Sequence, residues 1–371
     1  MKKSVSLMVL LSLCASCNSA QTPDSLPRFI GGVDASYVSR VEDKGGVYKD
    51  EAGETVDFFQ KLKASGVNQV RLRVWNHPSD SYNSQWDMLK LAKRAKAAGL
   101  GIFLDLHYSD TWADPSHQTK PAEWKNLNFS DLKTAVQQYT RSVVQSMIDQ
   151  GTPPDMVQIG NEISAGMLWD EGRVWGPDAD FNTDKQWNQL SDLLKSGIAG
   201  VKDTGSKANI VIHIDKGGSN AEARNFYDRI VARGVKFDTI ALSYYPYWHG
   251  PLDKLKENVK DLMNRYDRDV ILAETAYPFT LGWNDWTNNV IGLSEQLPGT
   301  YAPTPEGQAQ MLKDLIAALK SVQGKHRTGV FYWGGEWIST GPEDTSGSSW
   351  ENQALFDFSG KALPVLNTFK P

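Results

Sequence analysis

A chain of 371 residues with 40% hydrophobic side chains has the length for one large α/β barrel and the apolar material for its core. Its formal net charge of -5 excludes a nucleic-acid binder, which needs clustered Lys and Arg, and makes a neutral polymer the more natural partner. Both cysteines, Cys14 and Cys17, stand near the start, so the folded part has no disulfide, no catalytic thiol and no cysteine-held zinc.

The first segment reads as targeting. Lys2 and Lys3 form a positive start, Val5 to Leu13 is mostly apolar but too short to span a bilayer, and small residues precede Cys17. Residues 1–17 resemble a bacterial lipoprotein signal, with Cys17 as the lipidated residue; Cys14 stands where such signals usually carry Leu, and ordinary secretion with cleavage near Ala20 is the rival. The expectation is an exported protein of the cell envelope, at the outer membrane or cell surface, touching the membrane through the lipid alone. Residues 18–28 are polar and contain proline, as a tether would be. Residues 29–371 are expected to form one catalytic domain, working as a monomer.

From residue 29 short apolar runs alternate with amphipathic stretches. The runs are Phe29–Ala35, Gln69–Trp75, Gly101–His107, Met156–Asn161, Ile210–Asp215, Thr239–Tyr245, Val270–Thr275 and Gly329–Gly334. The helical stretches between them are Trp86–Ala98, Leu132–Asp149, Gln186–Val201, Ala221–Ala232, Leu252–Tyr266 and Pro305–Val322. Near-continuous apolar runs such as IFLDL and VILAE fit strands buried on both faces of a parallel sheet. Eight βα units predict a single (β/α)8 barrel with its active site at the C-terminal ends of the strands. A doubly wound sheet is the alternative, but no Gly-rich phosphate loop follows any run.

The runs end in polar or aromatic residues: Arg71 and Arg73, His107, Asn161 and Glu162, His213 and Asp215, Tyr244 and Tyr245, Glu274, Trp333. Any one of these alone is more often a solvated or satisfied core residue. Seven strand ends doing so together point to a site. Two carboxylates, Glu162 after the fourth run and Glu274 after the seventh, can face each other across a narrow barrel. Glycosidic-bond cleavage with retention needs such a pair about 5–5.5 Å apart, one as acid/base and one as nucleophile. Glu162 takes the acid/base role and Glu274 the nucleophile's. Asn161 can bond a sugar 2-hydroxyl, and Tyr245 and Arg73 can hold Glu274 ionised. The six His are scattered singly, against a metal-dependent hydrolase.

Asn-Glu at strand four with Glu at strand seven is the pattern of the large retaining-glycosidase clan built on this barrel. The segments GVDAS (32–36), EDKGGVYKD (42–50), VRLRVW (70–75), LDLHYSDTWADPSHQTKP (104–121), IGNEISAGMLW (159–169), SYYPYW (243–248), AETAYP (273–278) and NQALFDFSG (352–360) together resemble the endo-β-1,4-galactanases of glycoside hydrolase family 53. The resemblance implies endo-hydrolysis of the β-1,4-galactan of type I arabinogalactan and pectin, with no cofactor for catalysis. It implies that Arg73, His107, Asn161, His213, Tyr245 and Trp333 line the cleaved-sugar subsites. Asp34, Asp110, Trp112, Asp114 and Trp248 would lie near them, with Trp112 stacking on a galactose; Asp114 has an equal claim to a loop-shaping role. Bacterial members often hold calcium between the loops after strands seven and eight. Asp285, Thr287, Asn289, Ser348 and Glu351 are the candidate ligands here, against a solvated Asn-rich turn. A mannanase, xylanase or cellulase would use the same two carboxyls, and a surface lipoprotein that only captures glycans would need neither.

Overall fold

The computed structural model describes residues 26–176, 181–340 and 347–370. The expected signal segment 1–17 with Cys17, and the tether up to residue 25, lie outside the described residues. Eight parallel strands close into a barrel: β1 Phe29–Asp34, β2 Gln69–Val74, β3 Gly101–Leu106, β4 Met156–Ile159, β5 Asn209–Ile214, β6 Thr239–Ser243, β7 Asp269–Thr275 and β8 Thr328–Tyr332. β8 pairs back onto β1, with Val33 opposite Tyr332, so the barrel sheet has no open edge. Each observed strand lies within two residues of its expected bounds at either end. The helices of seven or more residues are α1 Phe58–Ala64, α2 Gln85–Ala97, α3 Phe129–Asp149, α4 Asp184–Asp203, α5 Asn220–Ala232, α6 Leu252–Tyr266 and α7 Pro305–Val322.

Helix starts follow their caps. Ser84, Asn128 and Thr304 have extended backbone, and their side chains accept from the N–H three residues on. The Asn128 cap starts α3 at Phe129, before the apolar stripe begins at Leu132. A short 3-10 turn, Pro364–Phe369, stands where an eighth helix would follow, and Phe369 packs 3.1 Å from where a Gly31 side chain would begin. Among the described residues no helix is long and apolar enough to cross a membrane.

Alternation along the strands builds the barrel interior in two storeys. The lower is apolar: Ile30, Phe103, Met156, Val211, Ala241, Ile271, Ala273 and Phe331 pack together as one buried cluster. Gly32 leaves room for it, since a side chain there would meet the Phe331 ring at 2.2 Å. The upper storey is polar, and it carries the site.

Candidate active site

Arg71 rises from β2 into the barrel and is fully buried. Its Nη2 lies 2.9 Å from Asp105 Oδ2 and its Nη1 lies 2.9 Å from Glu274 Oε1. It also donates to Asn161 Oδ1 at 2.7 Å and to Gln158 Oε1 at 3.3 Å, with Asp34 Oδ2 at 3.4 Å. Burial opposes the charge of both Arg71 and Asp105. Several attractions together outweigh it: Asp105, Glu274 and Asp34 hold the Arg71 guanidinium charged, and Arg71 with His107 holds the Asp105 carboxyl well below the usual carboxylate range.

Glu274 reaches this layer through an irregularity in β7. In the ladder Leu242 faces Leu272 but Ser243 faces Glu274, and on the other side Val330 faces Leu272 but Tyr332 faces Thr275. Both neighbours record one extra residue in β7. Regular alternation would carry Ile271 and Ala273 inward and Glu274 outward; the bulge turns Glu274 in. Its Oε1 meets Arg71, and the Tyr245 hydroxyl donates to its Oε2 at 3.0 Å. Glu162 arrives by a different device. It follows Gly160, whose φ is +81°, and itself has φ 48°, a left-handed turn that lifts its carboxyl over the end of β4. Oxygens of Glu162 and Glu274 and a ring nitrogen of His213 lie within 4.8 Å of one another.

Two carboxyls so close cannot both be charged cheaply. Burial pushes both upward, and Glu274 and Asp215 push Glu162 further. Arg71 and the Tyr245 hydroxyl pull Glu274 back; on Glu162 a hydrogen bond donated by Ser243 would act the same way, as does the more distant Arg71, but both rank below the upward pushes, and no cation contacts it among the described residues. Glu274 is therefore the ionised member and Glu162 holds the proton. That division is what retaining hydrolysis needs, and oxygens within 4.8 Å of each other stand on the retaining side of the divide, about 5–5.5 Å against roughly 6.5–9.5 Å for inversion.

Around the pair lies an open cleft of about 450 Å³. Of the residues singled out in the sequence, Arg73, His107, Trp112, Asp114, Asn161, Tyr245, Trp248 and Trp333 line it. Trp75, Trp337 and Trp350 join the aromatic wall, with Trp333 and Trp350 centred 4.4 Å apart and Trp75 and Trp112 5.4 Å apart. The Arg73 guanidinium sits 4.1 Å from the Trp112 ring and donates to Asn83 at 3.2 Å. The expectation that Arg73 holds Glu274 is thus corrected: Arg71, one pleat lower, does so, and Arg73 orders the aromatic wall.

Three other expected subsite residues do not line the cleft. Asp34 lies in the buried layer, where its oxygens face the Ser36 N–H at 3.0 Å and Arg71. Asp110 accepts from the N–H groups of His77 at 2.9 Å and Ala122 at 2.8 Å, and shapes the loop after β3. His213 is fully buried beneath Glu162, with both ring nitrogens engaged by Asn161 and Ser243. Asp105, Gln158 and Ser243 were missed. The signal was present: each is polar at an inward-facing position of an otherwise apolar run. His107 shows what such residues do. Its Nε2 faces Asp105 at 3.0 Å while Nδ1 accepts from the Ala113 N–H at 3.2 Å, tying the loop after β3 to the charged layer.

The five candidate calcium ligands come together in part. Asp285 accepts from the Ser348 N–H at 2.6 Å and from the Thr287 N–H at 2.7 Å, and Glu351 accepts from the Asp285 N–H at 3.3 Å.

The sequence profile described as Glycosyl hydrolase family 53 matches residues 30–369. The chain belongs to that family. Family 53 relatives match it along nearly their whole length. An arabinogalactan endo-beta-1,4-galactanase of Cellvibrio japonicus (strain Ueda107) is 35% identical, covering 100% of this chain and 97% of the relative. An endo-beta-1,4-galactanase of Bacillus subtilis (strain 168) is 34% identical, covering 92% of this chain and 85% of the relative. Among solved structures, the Ignisphaera aggregans family 53 catalytic domain superposes with a TM-score of 0.85 at 42% identity, covering 94% of this chain and 98% of that one. As a family 53 glycoside hydrolase, the chain needs only carboxyl chemistry and no catalytic cofactor.

Proposed function

We propose that this chain is a retaining endo-β-1,4-galactanase acting on type I arabinogalactan and pectic galactan, with Glu274 as nucleophile and Glu162 as acid/base. The observation that carries this is the carboxyl pair within 4.8 Å, Glu274 held by the Arg71 guanidinium and Glu162 pushed toward its protonated form by burial and by Glu274, on the floor of an aromatic cleft. In the first step Glu274 attacks the anomeric carbon while Glu162 gives its proton to the departing oxygen. In the second, Glu162 takes a proton from water, whose oxygen attacks the same carbon and releases Glu274. Internal cutting is favoured by a second cavity of about 340 Å³ that adjoins the cleft at Trp112, Trp337 and Ser349 and offers room for further sugar units. The choice of galactan is supported by the names of the relatives.

The test is reducing-sugar release from linear galactan against mannan, xylan and cellulose, with the products sized. Short galacto-oligomers from galactan alone support the proposal. Free galactose as sole early product rejects internal cutting, and faster release from another polymer rejects the substrate.

The loops after β7 and β8 hold a structural calcium in this reading. Thr287 Oγ1, Asn289 Oδ1 and Glu351 Oε2 are buried without a hydrogen-bond partner among the described residues, and all are oxygens, the donors a hard cation takes. The ion would brace the wall that carries Trp350. Metal analysis of the purified protein should find calcium, and chelator should lower the melting temperature; neither would occur at a merely solvated turn. The chain is further taken to be exported, lipidated at Cys17 and monomeric. Fatty-acid labelling lost in Cys17→Ser, with light scattering at the monomer mass, checks these.

A further inference from the structure

Ser243 ends β6 directly opposite Glu274, fully buried, and stands between two groups. Its Oγ is 2.5 Å from Glu162 Oε1 and 2.9 Å from His213 Nε2. A hydroxyl has one hydrogen, so it serves one of these neighbours as donor and must receive a hydrogen from the other.

The direction is fixed from the far end. Asn161 Oδ1 accepts from Arg71 at 2.7 Å and from Gln158 Nε2 at 3.1 Å, while Asn161 Nδ2 donates to the Ala113 carbonyl at 2.8 Å. Turning that amide over would set its NH2 against the guanidinium and its oxygen against a carbonyl. His213 Nδ1 lies 3.0 Å from the same Oδ1, so Nδ1 carries a hydrogen. Burial, followed by the nearby Arg71 charge, holds the His213 ring neutral. A neutral imidazole has one N–H, so Nε2 is a lone pair. Ser243 therefore donates to His213 and accepts the O–H of Glu162.

We infer that Asn161, His213 and Ser243 form a one-way hydrogen-bond relay that holds the proton on Glu162, and that Ser243 is a positioning residue for hydrolysis. The inference rests on Glu162 being the acid/base. When Glu162 gives its proton to the leaving group, the single Ser243 hydrogen has two claimants, the new carboxylate and His213 Nε2, and one goes without. His213 cannot resolve this by moving its own hydrogen, because Nδ1 would then face Asn161 Oδ1 lone pair to lone pair. The relay thus disfavours ionised Glu162 and draws a proton from the incoming water in the second step.

The groups facing Glu162 are Glu274 from β7, Asp215 after β5, Arg71 from β2, and His213 and Tyr245 from β5 and the end of β6. None of them is altered in Ser243→Ala, so the pH profile of that variant reads the hydroxyl. The expected result is an alkaline limb of kcat/KM moved down by about one pH unit, with the limb restored in Ser243→Thr. A hydroxyl that merely donated to a carboxylate would give the opposite sign. An upward shift, or none, overturns the relay.

A second measurement avoids substitution at the relay. In the 15N-histidine spectrum of the unmodified protein, a neutral His213 protonated at Nδ1 supports the relay, and an Nε2–H tautomer or a charged ring overturns it. Full galactan hydrolysis by Glu162→Ala would sink the acid/base assignment and leave that tautomer unchanged, so the two failures are distinguishable.

Discussion

The lower and upper storeys of the barrel interior are built from the same strands, one pleat apart. Phe103 is followed inward by Asp105, Met156 by Gln158, Val211 by His213, and Ala241 by Ser243. Below, apolar side chains satisfy one another by filling volume, and many arrangements would serve. Above, most donors and acceptors have a specific partner, and Arg71 alone joins three carboxylates and two amides. The lower storey contributes stability without chemistry. The upper stores the charge separation that the reaction uses, so a single substitution there acts on both.

The largest effect is expected at the top. Glu274→Gln should lower kcat by about 10⁴-fold or more, measured as initial rates on galactan, with little change in melting temperature. Retained turnover would remove Glu274 as nucleophile. Next comes the joint between the storeys. Arg71→Met leaves Asp34, Asp105 and Glu274 without their cation, and should cost about 3–5 kcal/mol in chemical denaturation as well as nearly all activity. Loss of activity alone would mean that the buried ions are compensated by another route.

Phe331→Ala probes the lower storey. Its ring packs 5.0 Å from Phe103, and its loss should cost about 3–5 kcal/mol of stability. The kcat of the surviving folded protein should match the parent. If kcat falls with stability, the storeys are coupled more tightly than the comparison implies.

The smallest effect concerns pH. Folding raises the pKa of Glu162, so the folded state holds that proton more tightly than the unfolded chain. Its favourable contribution is full below the ordinary carboxylate range and fades as pH rises toward the folded value. Glu162→Gln, which cannot ionise, should therefore gain in melting temperature relative to the parent as pH rises above that range. A difference that does not vary with pH would contradict the raised pKa.

Much of this was legible beforehand. Apolar runs of strand length separated by amphipathic helices leave few other folds, and a Glu after an apolar run at two opposed strands is chemically specific. The roles of Arg71 and Arg73 were not legible. They are two apart on one strand and face the same way, and nothing in the string says that one lies a pleat deeper among carboxylates and the other against tryptophans. The same ambiguity misplaced His213, which alternation points inward but which lies below the cleft floor and not on it.

The sequence by itself determined the barrel and the identity of the two carboxyls, because apolar runs of strand length and the helical period between them are local properties. Tertiary structure decided that those carboxyls meet. Alternation alone turns Glu274 outward, and one extra residue in β7, accommodated between β6 and β8, turns it in. A left-handed turn at Glu162 completes the approach. Both are backbone departures that cost energy locally and persist because the surrounding barrel holds them, and no local pattern in the sequence encodes that support.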